Sequence, residues 1–353
     1  MTTMCSRPRR NLIREAAISV VQAFPDALED RSLDGRLLGR GYDSFFQQLE
    51  IRVANNTYRR VKATVAPGAQ WCSRKAVKDS YGCVNWQPAR NSEPSEDIDN
   101  KIQFLKREGK KSLEEIDVPL CHDYMEETYP EQRSFINADP APCISKVKEE
   151  WPMLFHRPFF YKHGNKLLAK DVRAIFDQKV SVYALPLVQH LESVPKKEVM
   201  YTLMIMQEAT KRGNTKAVEE AMLPLLCAYF KEDEMHLFRV LKEETNISEI
   251  LHELPCTPTI VAFGSIFQKK CFVTCKQQIL FTEPVDFSEA TCLLFLSYYV
   301  FNLVYADPVA TTLEFLQREM FTINPLKGSK CRDGRKSKTA VSNKIMKLIH
   351  HLR

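Results

Sequence analysis

Residues 287–305 read FSEATCLLFLSYYVFNLVY, and this stretch decides the fold class. Asp286 or Ser288 is placed to cap it, and apolar residues occupy nearly every side of the helix that follows. A helix with no polar face has to be enclosed by other elements. The apolar run proper, Thr291 to Ala306, is interrupted by Ser297 and Asn302 and falls short of the ~20 residues of a membrane span. The reading is a buried core helix. The 353 residues, 44% apolar with 20 Phe and 12 Tyr, can build a core around it, and the length alone suggests two or three domains.

Upstream, Thr259–Phe263, Cys271–Cys275 and Ile279–Thr282 are short β-branched or aromatic runs, with turns at Gly264 and Lys276–Gln278. Three small strands are expected. Downstream, Pro308–Phe321 reads as a helix with proline in its first turn and Val309, Leu313, Leu316 and Met320 on its face. A basic loop, 327–338, and a last helix, 339–352, end the chain. From Cys143 to about Leu254 the spacing is helical. Val147, Trp151, Leu154 and Phe155 form one short helix broken near Pro152. Leu168, Val172, Ile175, Phe176, Val180 and Tyr183 form a longer one disturbed at Pro186. Further helices are expected at 196–212, 215–231 and 233–244, with Gly213 as a stop.

Towards the N-terminus, residues 112–140 are acidic and proline-bearing and read as a boundary. Ser95 caps an exposed helix with acids at its start and Lys106, Arg107, Lys110 and Lys111 at its end, as the helix dipole favours. Residues 67–95 are rich in breakers but carry Trp71 and Trp86, so they are expected to pack on a domain. Leu12, Ala16 and Val20, beside Ile13, Ala17, Val21 and Phe24, make two ridges of a first helix that Pro25 halts. Gly35, Gly39 and Gly41 mark a loop. Asp43 or Ser44 caps a second helix with Phe46, Leu49 and Val53 inward. The fold class is therefore mainly α: a small basic N-terminal helical domain (8–66), a Trp/Pro-containing connector with one exposed helix (67–140), a larger helical domain with a three-stranded β insert near 258–283 (141–326), and a basic tail with a terminal helix (327–353).

Charge is segregated along this plan. Residues 1–78 hold 14 Lys/Arg against 7 Asp/Glu, residues 327–353 hold 9 against 1, and residues 79–326 hold 27 against 36. A cationic patch is a handle for polyanions or acidic partners. The candidate contacts are Arg52, Arg59, Arg60, Lys62, Arg74, Lys75 and Lys78, interleaved with Tyr58, Trp71 and Tyr81, and Lys330, Arg332, Arg335, Lys336 and Lys338 in the tail. Cations beside flat aromatics can grip a phosphate backbone and stack on bases. The tail also resembles a loose nuclear-import run.

Other chemistry is weakly marked. The 11 Cys and 8 His include no C-x-x-C pair, and the adjacent Cys121 and His122 diverge on most backbones, so no metal site is assigned. Cys271 and Cys275 point to one face of a strand and read as buried small hydrophobes. Cys256 has no sequence-evident histidine partner. No Walker loop or G-x-G-x-x-G occurs, and the 11 Gly disfavour phosphate loops generally. No catalytic residue or cofactor follows. The odd, irregularly spaced cysteines and the polar, Arg-rich Met1–Arg14 suggest a reducing, intracellular setting, nuclear or cytoplasmic rather than secreted.

The blocks Tyr81-Gly82-Cys83-Val84-Asn85-Trp86-Gln87-Pro88, Lys148-Glu149-Glu150-Trp151-Pro152-Met153-Leu154-Phe155, Tyr298-Tyr299-Val300-Phe301-Asn302 and Leu313-Glu314-Phe315-Leu316-Gln317-Arg318, with the Asn/Arg-rich Asn55–Arg60, together resemble a group of uncharacterised vertebrate proteins abundant in fish. These are labelled sterile alpha motif domain-containing protein 3-like. The resemblance covers most of the chain. It implies a shared fold and a non-enzymatic role, but not the sterile alpha motif itself, since the helical N-terminal unit already begins at Asn11. The expectation is an intracellular binding or scaffold protein whose basic ends contact nucleic acid or an acidic partner. The alternatives are a protein-interaction module that exposes part of helix 287–305, or a cysteine-dependent enzyme.

Overall fold

The structure, a computed structural model, describes residues 10–58, 88, 96–194, 196–324 and 341–352, and over 54–58 the backbone alone. The chain forms two compact units. The smaller gathers residues 10–58 with the helix that ends the chain, and the larger holds residues 96–322.

In the smaller unit, α1 (Arg10–Ala23) buries Ile13, Ala17 and Val21. The neighbouring ridge does not follow them inward, with Leu12 56% and Val20 36% exposed, and Phe24, at the end of the buried ridge, is itself 62% exposed. Pro25 opens a single further turn, α2 (Pro25–Leu28). Gly35, Gly39 and Gly41 take positive φ in the loop that follows. In α3 (Asp43–Tyr58), Phe46 meets Ile13 and Ala17, flanked by Tyr42, Phe45, Leu49 and Val53. The first turn of α3 is held from outside itself. The buried Asp30 carboxylate accepts the Ser44 N–H at 2.8 Å and also the Ser44 hydroxyl. Burial still raises the Asp30 pKa, although the bonds from Ser44 oppose the rise.

The larger unit opens with α4 (Glu96–Glu108), most of whose residues are exposed or half-buried. Leu105 and Glu108 are buried, and Phe104 meets Tyr124 edge-on at 5.2 Å. The acidic stretch that follows is not a bare boundary. It forms α5 (Val118–Glu127) and α6 (Tyr129–Ile136). Pro119 and Pro130 sit in their first turns, where a missing N–H costs nothing. Next come α7 (Ile144–Glu150), a 3-10 turn at Pro152–Phe155, and α8 (Arg157–Leu168). In α9 (Val172–Glu192) the helix runs on through Pro186, and α10 (Lys197–Lys211) returns along it. Two shorter helices, α11 (Ala217–Glu220) and α12 (Met222–Phe230), complete this helical stretch.

The sheet has four strands rather than three, in the order β1-β2-β3-β4. The added strand, β1 (Phe238–Leu241), lies where 233–244 reads as helix. It pairs parallel with β2 (Thr259–Phe263) after the short α13 (Ile247–Ile250). β3 (Cys271–Cys275) is antiparallel to β2, and β4 (Gln278–Ile279) to β3. Lys276 and Gln277 make the β3–β4 turn, both with positive φ. Cys271 and Cys275 are buried on one side of β3.

The sheet and the helices enclose α14 (Phe287–Val300), capped by the Asp286 carboxylate on Glu289 N at 2.8 Å. Phe295, Tyr298, Tyr299 and Phe301 are all at most 6% exposed, so this helix is core and presents no face to a partner. It approaches α8 closely. A Cβ on Gly164 would lie 2.6 Å from a Leu296 methyl, which explains the glycine inside α8. Phe295 stacks on Phe321 at 3.9 Å, next to Phe176. α15 (Ala310–Phe315) has its first amides, Thr311 and Thr312, held at 2.8 Å by the Glu232 carboxylate. It continues as a π-helical turn, Leu316–Met320, with a buried Arg318–Glu314 pair at 2.9 Å. The terminal helix, α16 (Asn343–Leu352), is amphipathic, with Ile345, Met346, Leu348 and Ile349 buried. Among the described residues no helix is long and apolar enough to cross a membrane.

Candidate binding cleft

The end of α14 is locked by complete accounting of its last carbonyls. Asn302 takes the left-handed conformation, φ 52°. Leu303 N then donates to Tyr298 O at 2.9 Å and Asn302 N to Tyr299 O at 3.2 Å, a Schellman stop, while Phe301 N takes Ser297 O. Val300 O is left over, and the guanidinium of Arg133, from α6, donates to it at 2.7 Å. Arg133 is fully buried, and among the described residues no carboxylate pairs with it. The negative end of the α14 dipole compensates its charge. Burial lowers its pKa to about 10, so it stays protonated at neutral pH.

The same guanidinium fixes the tautomer of His163. Arg133 approaches His163 Nε2 at 3.4 Å, so that nitrogen accepts, and Nδ1–H donates to Gln132 Oε1 at 2.9 Å. Gln132 Nε2 in turn donates to Met125 O at 2.8 Å and to the Thr128 hydroxyl at 3.0 Å. Burial first, and Arg133 second, hold the His163 pKa well below its ordinary value. Above pH ~6.5 the imidazole is neutral in both folded and unfolded chains. Below that the unfolded chain takes up the proton and the folded one does not, so stability falls as pH drops from about 6.5 towards the folded pKa. His163→Gln should flatten this acid limb, measured as urea midpoints at pH 7.5 and pH 5. An unchanged limb would rule out His163 as its source.

On the surface of the larger unit lies an open cleft of about 1000 Å³. One wall is the turn after α4, α7 and the Pro152–Phe155 turn. The other runs from β4 to Glu283, with Glu289 of α14. Gly109 lets the first wall close up, because a Cβ there would lie 2.7 Å from the Met153 amide. His156 Nε2 bonds to Gly109 O at 2.9 Å, and the Gln278 amide reaches the Ser145 hydroxyl from the opposite wall. Phe155 and Phe281 line the apolar part, braced by Phe160, which meets Phe281 edge-on at 5.0 Å.

The cleft's charges differ in how they are matched. Arg157 is held by Glu283 and by Glu289, the latter at 3.1 Å; burial works against its charge, and these carboxylates more than offset it. Lys111 sits on Glu108 at 2.7 Å. Lys148 lies 5.5 Å from the Phe155 ring centroid, and among the described residues neither it nor Lys110 has a carboxylate partner. Such a cleft can hold an extended segment that brings an acidic group to the lysines and an apolar side chain to the phenylalanines.

Of the residues expected to contact polyanions, only Arg52 is described. It is exposed on α3. Arg59, Arg60, Lys62, Arg74, Lys75, Lys78, Lys330, Arg332, Arg335, Lys336 and Lys338 lie outside the described residues, as do Trp71 and Trp86. The described part of the N-terminal module is not itself basic. Residues 10–58 hold six arginines against seven Asp/Glu, and Arg10, Arg31, Arg36 and Arg40 pair with Glu50, Glu29, Asp34 and Asp43. The excess is carried by Arg7 and Arg9 and by residues 59–78, which hold six Lys/Arg and no acid.

The thiols divide by burial. Burial pushes Cys121 up to about 11, Cys271, Cys275 and Cys292 to about 12, and Cys227 further still. Cys143 and Cys256 are exposed, and a bond from the Lys146 amide lowers the Cys143 pKa. Among the described residues no three His, Cys, Asp or Glu side chains gather as a metal would require. Sequence reading missed the cleft. Its one available signal was the Lys148–Phe155 block, which supplies four of the lining side chains, Lys148, Glu149, Pro152 and Phe155. Comparison with protein-family models, curated proteins and solved structures returned no match to this chain.

Proposed function

We propose that this chain is a non-enzymatic, intracellular binding protein whose larger unit docks an extended acidic and aromatic segment of a partner in the cleft. The observation that carries this reading is the pairing of a phenylalanine-lined cleft with two lysines, Lys110 and Lys148, that lack carboxylate partners among the described residues while Arg157 beside them has two. The cysteine-dependent alternative has less support. Among the described residues no thiol lines the cleft, and the one histidine that does, His156, is engaged by Gly109 O. Selection of random twelve-residue peptides on the whole chain tests the docking reading. Peptides joining Asp or Glu to Phe, Tyr or Trp should be enriched. Lys110→Glu with Lys148→Glu should weaken them about tenfold or more, in line with reversal of close charge pairs. Enrichment of peptides without acids, or affinity indifferent to both reversals, overturns it.

A second reading is polyanion contact by the basic segments, and the charge count supports it. The arginines of residues 10–58 are largely matched by their own carboxylates, so the net positive charge of residues 1–78 falls on Arg7, Arg9 and, for the most part, the acid-free 59–78. Its test is the salt dependence of duplex binding by the whole chain.

A further inference from the structure

In the middle of the α9–α10 hairpin the fully exposed residues carry no charge, and the half-buried Lys179 lies over the Tyr183 ring. On α9 the exposed residues from 178 to 189 are Gln178, Ser181, Val182, Leu185 and Gln189. On α10 those from 200 to 207 are Met200, Tyr201, Met204 and Gln207. Five of these are large apolar side chains left half exposed or more: Val182 54%, Leu185 53%, Met200 50%, Tyr201 61% and Met204 59%. Scattered apolar residues on a surface need no explanation, but a run of them across two adjacent helices marks an interaction surface. Methionine and tyrosine suit it, the one adaptable and the other amphipathic.

The charges at its ends name the occupant. Lys197, Tyr201, Met204 and Glu208 share one stripe of α10, spaced by four, three and four residues, with a cation at one end, an anion at the other and apolar side chains between. Such a stripe is its own complement when a second copy runs antiparallel. A two-fold axis between Tyr201 and Met204 lays each Tyr201 on the partner's Met204 and each Lys197 on the partner's Glu208, the isologous arrangement of a cyclic dimer. Lys197 has no carboxylate partner among the described residues. Among the described residues Glu208 is tied only to the exposed Arg212, whose Nε reaches Oε1 at 3.0 Å, so that Oε2 is left to offer. A partner of other sequence would find no fully exposed charge in the middle of this face to select it.

We propose that this face joins two copies of the chain in a weak antiparallel dimer. The distance from Lys197 to Glu208 is about 17 Å along the helix, and two helices side by side span about 20 Å, so each copy offers about 350 Å² in projection. A stable complex buries about 800 Å² per partner, which puts this association in the weak, concentration-dependent class. Sedimentation velocity on the whole chain from about 1 to about 200 µM should show monomer giving way to dimer with Kd of about 10–100 µM.

Charge reversal separates self-pairing from unspecific stickiness. Lys197→Glu and Glu208→Lys should each weaken the dimer about tenfold, because each sets two like-charged pairs across the axis, and the double variant should restore it. Met204→Glu should leave monomer throughout. All three substitutions are at exposed positions, and thermal melting of each variant checks that the fold is kept. A wild-type chain that stays monomeric at about 200 µM overturns the proposal. Single reversals that dimerise as the parent does, or a double reversal that stays weak, overturn it equally.

Discussion

Changing Arg59, Arg60, Lys62, Arg74, Lys75 and Lys78 together to glutamine is expected to abolish duplex DNA binding by the whole chain at 150 mM salt. Affinity at about 50 mM salt should drop by about a thousandfold, and the slope of log affinity against log salt should fall by up to about five, since each neutralised phosphate contact contributes about 0.9. These six are the cations of an acid-free stretch, so no intramolecular carboxylate within 59–78 competes for them. Arg10, Arg31, Arg36 and Arg40 supply a matched control. Each is held by an aspartate or glutamate of the smaller unit, so replacing all four should change the slope little. Wild-type binding that is flat with salt, or no binding at about 50 mM salt, ends the polyanion reading and leaves cleft docking standing.

The tail supplies a second arm of the same experiment. α3 and α16 belong to one compact unit, so the cationic stretch that follows Tyr58 and the one that precedes Asn343 start from the same body. Replacing Lys330, Arg332, Arg335, Lys336 and Lys338 should therefore give an effect that is not additive with the first set when one duplex is long enough to touch both. Equal, additive losses on a long duplex would mean two independent patches.

What could be read from the amino acids depended on whether the deciding interaction was local. The enclosure of α14 was legible, because a helix apolar on every side has one physical outcome. Its end was not. Tyr298–Asn302 looks apolar enough to continue to Tyr305, and the stop depends on Asn302 accepting a left-handed backbone. Pro119 and Pro130 read as breakers because their sequence position does not reveal that a helix begins on them. β1 was hidden because Phe238–Leu241 is four residues long and earns its strand geometry only by pairing with Thr259–Phe263 across an intervening helix. The cleft draws on five separated segments. Lys110 was explained adequately by the dipole of α4, which left no local sign of a binding role. The charge segregation was legible from the counts alone: the helices of the N-terminal module carry no net positive charge, and residues 59–78, where all but one of the N-terminal candidate cations lie, do.

Arg133 lies in the acidic, proline-bearing stretch 112–140 that the sequence marks only as a boundary, and its removal carries the largest expected cost in stability. Here it is the last cap of the core helix and the donor that fixes His163. Arg133→Ala leaves Val300 O buried without a partner, leaves His163 Nε2 without a donor, and opens a cavity between α6, α8 and α14. Together these should cost about 4 kcal/mol, and with 2–4 °C per kcal/mol for a unit of this size the melting temperature should fall by about 10–15 °C. Arg133→Met refills much of the volume without the donors and removes the burial cost of the charge, so its loss should be nearer 2 kcal/mol. A readout of pH separates the capping role from simple packing. Without the neighbouring cation the His163 pKa rises towards its ordinary value, so the loss of stability between pH 7.5 and pH 5 should be smaller in Arg133→Met than in the parent. A methionine variant as stable as the parent, with the same acid limb, would show that the charge at the end of α14 is dispensable and that only the volume of the side chain matters there.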